Sequence, residues 1–204
     1  MFSESVYSVA QKRVVKAMRV SPREGGTATT GNSSNVSVQQ ALQAAEPYSR
    51  LILGSGQYFE TLSIMKPVEI VAEEGSVPEV VNRGTCVIVS QDVECFFQNI
   101  RFVSKNAGAA PSSAALMQGV GASIRVLAGT AMFMQCECTS VFVGGSAQPT
   151  FVECKINGSL AAPGVIIAGQ AGGTFQRNVI SNHVPYCVCV ISQGAPEFIE
   201  GLIG

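Results

Sequence analysis

The sequence contains no tryptophan, a single histidine and a single aspartate, and only 13% of its residues are charged. Basic and acidic residues nearly cancel to a formal net charge of −1, so we expect no basic field that would attract nucleic acid. No apolar run approaches the roughly 18 residues that a membrane-spanning helix needs, and we expect no membrane partner. The first residues lack the apolar core of a signal peptide, which predicts an intracellular, cytoplasmic protein.

Apolar residues are abundant. They make up 47% of the 204 residues, enough to build the core of one domain, and they include seven cysteines. An odd number of cysteines without a signal peptide indicates reduced thiols. The pairs Cys136/Cys138 and Cys187/Cys189 differ from the Cys-x-x-Cys spacing of zinc sites, and residues two apart share one face of a strand. We interpret the cysteines as core side chains and predict neither a metal nor another cofactor.

A short pattern recurs five times after residue 95: a phenylalanine, two further residues, and then Asn, Cys or Gly. The phenylalanines are Phe96, Phe133, Phe151, Phe175 and Phe198, and the residues three positions later are Asn99, Cys136, Cys154, Asn178 and Gly201. Units of about 20 residues built from short strands cannot bury both faces alone, so we expect them to stack with parallel strands about 4.8 Å apart. This predicts an all-β fold, a right-handed parallel β-helix. A β-sandwich would show alternation without a recurring signature.

Stacked units align equivalent side chains. We expect the five phenylalanines inside the solenoid, and the Asn, Cys and Gly residues of the pattern in the neighbouring turn, where Asn and Gly tolerate a left-handed backbone. The polar residues two positions after each phenylalanine should form a surface row, which either supports the register or docks a protein partner: Gln98, Gln135, Glu153, Arg177 and Glu200. Phe97, Val152 and Ile199 are expected to point outward as an apolar patch.

Residues 17–204 are predicted to form a single β-helix domain, preceded by an extension over residues 1–16. Within that extension, residues 3–15 predict a helix that extends a cap or docks a partner. Residues 35–46 predict a capping helix, because Ser37 is a suitable N-cap and Gln40 completes a capping box. The stretch 104–114 is rich in Ala, Pro, Ser and Gly, which indicates an inserted loop.

The capping helix and the strands after it follow a distinctive order. The residues that define this order are Ser37, Gln40, Ala41, Gly56, Tyr58, Glu60, Lys66, Pro67 and Val68. Through them the chain resembles, over roughly residues 17–204, the pectin-lyase-like parallel β-helix family. That family includes pectinesterases and the non-catalytic β-helix modules of F-box and Shc SH2-binding proteins. The resemblance implies a solenoid whose N-terminal end is covered by the short helix, and it is specific for fold rather than function.

Enzymes of the resembled family act through clustered aspartates. Acid–base work on an ester or a glycosidic bond needs two positioned groups, and calcium needs several oxygen ligands. Asp92 stands alone in a predicted turn. His183 is expected in an exposed loop, and Cys187 and Cys189 are expected to face inward, which argues against a cysteine–histidine pair. We therefore predict that the chain is not an enzyme and has no catalytic residue.

The leading functional prediction is a non-catalytic β-helix module for protein–protein interaction, a scaffold or adaptor within a larger intracellular assembly. A carbohydrate-binding or carbohydrate-active protein, similar to a pectinesterase or lyase, is one alternative; the absence of tryptophan and the presence of only four tyrosines weaken it. A structural element that assembles end to end is another, because residues 198–204 end a repeat without a polar cap. The same feature predicts that this chain is a fragment of a longer one.

Overall fold

The structure is a computed structural model that describes residues 16–22, 37–105, 114–115, 118–158, 163–191 and 193–204. The described residues form 21 β-strands and include the helix α1 (Val38–Ala44). The predicted helix over residues 3–15 and most of the predicted insertion over 104–114 lie outside the described residues.

After β1 (Ala17–Val20) and α1, the strands follow one another in groups of three. The first three groups are β2 (Ser49–Leu53), β3 (Gly56–Phe59) and β4 (Leu62–Ile64); β5 (Val68–Ala72), β6 (Pro78–Asn82) and β7 (Val87–Val89); β8 (Glu94–Gln98), β9 (Arg101–Ser104) and β10 (Ile124–Val126). The next three are β11 (Thr130–Met134), β12 (Glu137–Cys138) and β13 (Val141–Val143); β14 (Thr150–Val152), β15 (Lys155–Asn157) and β16 (Val165–Ile167); β17 (Gly172–Gln176), β18 (Val179–Ser181) and β19 (Val188–Val190). A last group contains β20 (Ala195–Ile199) and β21 (Leu202–Ile203).

Corresponding strands of successive groups pair in parallel and build three sheets. In the described part of the chain, the first sheet has eight strands in the order β1-β2-β5-β8-β11-β14-β17-β20. The second sheet has seven, β3-β6-β9-β12-β15-β18-β21, and the third has six, β4-β7-β10-β13-β16-β19. Each group of three strands is therefore one coil of a solenoid that visits the three sheets in turn. The predicted parallel β-helix is confirmed.

Phenylalanine rings stack in a column on the inner face of the first sheet. The ring centroids of Phe97, Phe133, Phe151 and Phe175 follow one another at 4.7, 4.7 and 5.0 Å, and Phe198 continues the column at 4.9 Å. The first four side chains are at most 1% exposed. Stacked rings of adjacent coils therefore form a continuous column in the core on this side, and such aromatic side chains bury large apolar surfaces.

The prediction that Phe96 belongs to this column is wrong. Phe97 pairs with Phe133, while Phe96 pairs with Met132 and is half-buried on the outer face of the sheet. The expected outward position of Phe97 is wrong for the same reason. A Phe-Phe dipeptide fits the repeat in two registers, and neighbouring side chains of a strand point to opposite faces, so a slip of one residue exchanges inside and outside.

A residue with a left-handed backbone directly follows each strand of the first sheet from β8 onward. The backbone angle φ lies between 52° and 57° at Asn99, Gln135, Glu153, Arg177 and Glu200. The expectation that Cys136, Cys154, Asn178 and Gly201 take this position is wrong, since each of them follows the left-handed residue by one position. Asn99 is left-handed as expected, but the structure aligns it with the polar row, and Gln98 lies within β8 opposite Met134.

The residues after the left-handed position turn inward. Ile100, Cys136, Cys154 and Asn178 are all buried there. The amide of Asn178 binds two backbone groups of the preceding coil: its Oδ1 accepts from the Cys154 N–H at 2.7 Å, and its Nδ2 donates to the Phe151 carbonyl at 3.0 Å. A polar side chain is stable in this interior because both of its polar atoms are hydrogen-bonded.

All seven thiols are free, as predicted, and five are buried: Cys86, Cys95, Cys136, Cys138 and Cys154. Burial raises the pKa of Cys86 and of Cys95 to about 12, because a thiolate loses its hydration in an apolar interior. The expectation that Cys189 faces inward is wrong. Val188 and Val190 pair with the inward residues of β16, so the alternation of the strand places Cys189 outside, against Ile166 and Phe142.

The capping helix is present where it was predicted. The Ser37 side chain accepts from the Gln40 N–H, and the Gln40 side chain accepts from the Ser37 N–H, each at 3.1 Å, which is a capping box. Val38, Ala41 and Leu42 are buried against the solenoid. The helix contacts β1 and β4, the first strands of the first and third sheets, so it covers the core at this end.

Charged side chains of the first coil hold both ends of α1. The Glu60 carboxylate accepts from the Val38 and Gln39 N–H groups at 2.9 and 2.8 Å. At the other end, the Lys66 ammonium donates to the Gln43 and Ala45 carbonyls. A negative charge at the helix N-terminus and a positive charge at the C-terminus both stabilise the helix, because each is opposite in sign to the helix dipole at that end. Glu60 and Lys66 of the sequence pattern therefore position the cap.

Candidate interaction surface

Three residues of the predicted polar row contact one another along the turn between the first and second sheets. The Gln135 Nε2 donates to the Glu153 carboxylate at 3.1 Å, and the Arg177 guanidinium donates to the same carboxylate at 3.1 and 2.7 Å. Glu200 occupies the equivalent place one coil further on. Exposed pairs of this kind contribute about 0–1 kcal/mol each, so their main physical effect is to align neighbouring coils.

The outer face of the first sheet is only partly polar. One of its rows runs through Gln98, Met134, Val152, Gln176 and Ile199. Val152 and Ile199 thus lie in the same outward row, as predicted, but Gln176 separates them. The apolar centre of this face instead combines Met134 and Val152 with Phe96 and Met132 of the neighbouring row. Met134 is only 4% exposed and the other three side chains are half-buried, so little of this apolar cluster reaches the surface.

The last strand of each sheet exposes a side chain that occupies a core position. Phe198 is in register with Phe175, and its exposed fraction is 36% where that of Phe175 is 1%. Ile203 is 49% exposed, whereas its partner Ile180 is 1% exposed. Val190 is likewise exposed although the equivalent residue of β16 is buried. This set, Val190, Phe198 and Ile203, is called the open end below.

The backbone at the open end likewise has an edge that no described strand pairs with. Among the described strands, β19, β20 and β21 each have a neighbour on one side only. Strand edges of this kind are templates for the addition of another strand. Sequence analysis identified the uncapped repeat but not Val190 and Ile203. Val190 lies in the strand before Phe198, and Ile203 lies in the strand after it. An alignment of these strands with the corresponding strands of the earlier repeats would have identified both as core positions.

The catalytic candidates Asp92 and His183 lie in turns of different coils. Asp92 is exposed in the turn between β7 and β8. The prediction that His183 is exposed is wrong: the residue is 9% exposed, and its Nε2 lies 3.0 Å from the Ile156 carbonyl oxygen. A Cβ added at Gly164 would lie 2.6 Å from the ring, so the imidazole packs closely on the backbone of the preceding coil. Within the described ranges, no group of three or more His, Cys, Asp or Glu side chains is arranged to hold a metal ion.

Comparisons with protein-family models, curated proteins and solved structures found no match to this chain. Membership of the pectin-lyase-like family therefore stays a prediction from the sequence pattern, while the fold is established by the strand pairing. In the part of the chain that the structure describes, no helix has the length and apolar character required to cross a membrane.

Proposed function

We propose that this chain is a non-catalytic β-helix module for protein–protein interaction, and that it acts as a scaffold within a larger intracellular assembly. The observation that carries the proposal is the open end, where Val190, Phe198 and Ile203 repeat core positions of the preceding coil without being buried. A partner supplies strand-forming segments that add parallel to β19, β20 and β21 and cover these side chains. Recognition by strand addition combines backbone hydrogen bonds with pockets for alternate side chains.

The energies favour a partner with several strands. Complete burial of a Val, Ile or Phe side chain stabilises a complex by about 1.5–3 kcal/mol. The three side chains of the open end are already partly buried, so covering each of them contributes about half of that amount. Each backbone hydrogen bond adds about 0.5–1.5 kcal/mol. Association itself costs about 4–15 kcal/mol, so a single added strand binds weakly, and a stable complex needs pairing along more than one sheet.

The polar row extends the same surface along the flank of the solenoid. Glu200 directly follows β20, and Arg177 and Glu153 lead away from the open end one coil at a time. We propose that Gln135, Glu153, Arg177 and Glu200 contact the partner at the rim, together with Gln98, which lies beside this row on the outer face of the first sheet. Rim charges mainly affect the association rate and its salt dependence, while the apolar centre determines how long the complex lasts.

End-to-end self-assembly is the second candidate, because the open end is also a template for another copy of this chain. The opposite end is covered by α1, with Val38 and Leu42 buried beneath it. Stacking of an open end on a capped end requires displacement of this helix, so assembly of the folded chain joins two open ends and stops at a dimer. A dimer of this kind is distinguishable from a complex with another protein.

Site-specific crosslinking tests the proposal. A photo-crosslinking phenylalanine analogue is placed at Ile203 in one sample and at Val77, an equally exposed apolar residue far from the open end, in a matched control. We expect Ile203 alone to crosslink a defined second protein in cells. The purified partner should then lose binding to Leu202→Lys but not to Val77→Lys, with unchanged unfolding midpoints. Crosslinks only between copies of this chain support self-assembly, and equal crosslinking at both positions refutes the proposal.

A further inference from the structure

A notch of about 380 Å³ opens at the ends of β3, β6 and β9, on the outer side of the second sheet, and its lining residues are Phe59, Val81, Asn82, Arg83 and Lys105. Phe59 is 69% exposed, an unusual state for a large apolar side chain. Val81 pairs with Phe59 across the sheet and points the same way, yet it is only 2% exposed. Val81 is thus almost completely covered, and the accessible apolar surface of the notch is the Phe59 ring.

Two cations stand at the rim of this notch. Arg83 and Lys105 are exposed, and neither forms an ion pair with a carboxylate of the described residues. The acids nearest to the notch in sequence are engaged elsewhere: Glu60 binds the N-terminus of α1, and Glu79 binds Gln57 and Arg101. The local excess of positive charge contrasts with the net charge of −1 of the chain.

The backbone around the notch is held in place. The Lys105 N–H donates to the Asn82 carbonyl at 2.7 Å, and the Asn82 side chain donates to Thr61 Oγ1 at 2.8 Å and accepts from the Gly84 N–H at 3.0 Å. The Lys105 ammonium lies 5.4 Å from the Phe59 ring centroid, within the range of a cation–π contact. Because this backbone is already ordered, the entropy cost of binding a ligand falls mainly on the exposed side chains.

We propose that this notch binds a small planar aromatic anion. The ligand ring packs on Phe59, and its phosphate or carboxylate group lies between Arg83 and Lys105. The volume is at the lower end of ligand pockets, which span about 300–1,000 Å³, so the ligand has the size of a substituted ring or a mononucleotide. Arg83 holds the anion with its planar set of donors, and Lys105 contributes a point charge.

Nuclear magnetic resonance titration of the whole chain distinguishes the contribution of the aromatic ring from that of the negative charge. The probes are phenyl phosphate and benzoate, which carry both a ring and an anion, inorganic phosphate, which has no ring, and benzyl alcohol, which has no charge. We expect phenyl phosphate or benzoate to shift the amide signals of residues 81–84 and 105, with a Kd of about 1 mM or tighter. Inorganic phosphate and benzyl alcohol should each bind at least about tenfold more weakly.

Substitutions at exposed residues complete the test and leave the core unchanged. Phe59→Ala and Arg83→Gln should each weaken the binding of the ring-bearing anion about tenfold, whereas Lys155→Gln, an exposed cation elsewhere on the second sheet, should leave it unchanged. Unfolding midpoints verify that each variant is folded. The proposal is overturned if neither anion shifts these amides at millimolar concentration, if phosphate alone binds equally well, or if Lys155→Gln weakens binding as much as Arg83→Gln.

Discussion

Alanine substitutions at Phe96 and Phe97 test the register of the core. Phe97 is fully buried; its ring stacks on Phe133 at 4.7 Å and meets Phe102 edge-on at 5.8 Å. Removal of such a side chain costs about 3–5 kcal/mol, because the transfer energy of the ring and the packing around the resulting cavity are both lost. Phe96 is half-buried on the outer face, so Phe96→Ala should cost only about 1 kcal/mol.

Urea unfolding followed by circular dichroism measures both losses. We expect Phe97→Ala to lower the free energy of unfolding by at least about 2 kcal/mol more than Phe96→Ala, through a lower midpoint at a similar slope. Phe198→Ala is an internal control, since this ring is partly exposed and stacks on one neighbour, Phe175. It should cost less than Phe97→Ala. Equal losses at residues 96 and 97, or a larger loss at residue 96, would refute the assignment of the inward register.

Buried hydrogen bonds and thiols allow three further predictions. Asn178→Ala should lower the free energy of unfolding by about 1–3 kcal/mol for each of the two backbone groups that lose a partner, measured against the exposed Asn157→Ala. Glu60→Gln should cost up to about 1 kcal/mol and speed hydrogen exchange at the first amides of α1; unchanged exchange would show that the carboxylate does not cap the helix. Burial raises the pKa of Cys95 from 9.0 to about 12, so the unfolded chain releases this proton first as pH rises. Stability should therefore fall above pH 9.0 by up to about 1.4 kcal/mol per pH unit for this thiol, and Cys95→Ala should make the fall less steep.

Local signals in the sequence were sufficient for the helix cap and for the class of fold. Ser37 and Gln40 predict α1 because a capping box depends on residues three apart, and the contacts form within one turn of chain. The recurring phenylalanine predicts stacked coils because only stacking buries a repeated short strand. Both predictions are confirmed, and both depend on spacing rather than on distant partners.

Predictions that depended on which face a residue occupies were less successful. Phe96 and Phe97 have the same side chain, and Phe97 is inward because it aligns with Phe133. His183 was expected in solvent, but the coil before it brings the Ile156 carbonyl within 3.0 Å of its ring. In each case the deciding contact comes from a different coil, which is distant in sequence.

The sequence by itself determined that this chain stacks short strands into a solenoid and where the cap lies, because repeat spacing and capping residues are local properties. The tertiary structure alone decided which of two adjacent side chains enters the core and which core positions remain exposed at the open end. It also brought Phe59, Arg83 and Lys105 from three successive coils to one notch. Residues about one coil apart become neighbours only through parallel pairing, and the register of that pairing is set by the packing of the whole interior.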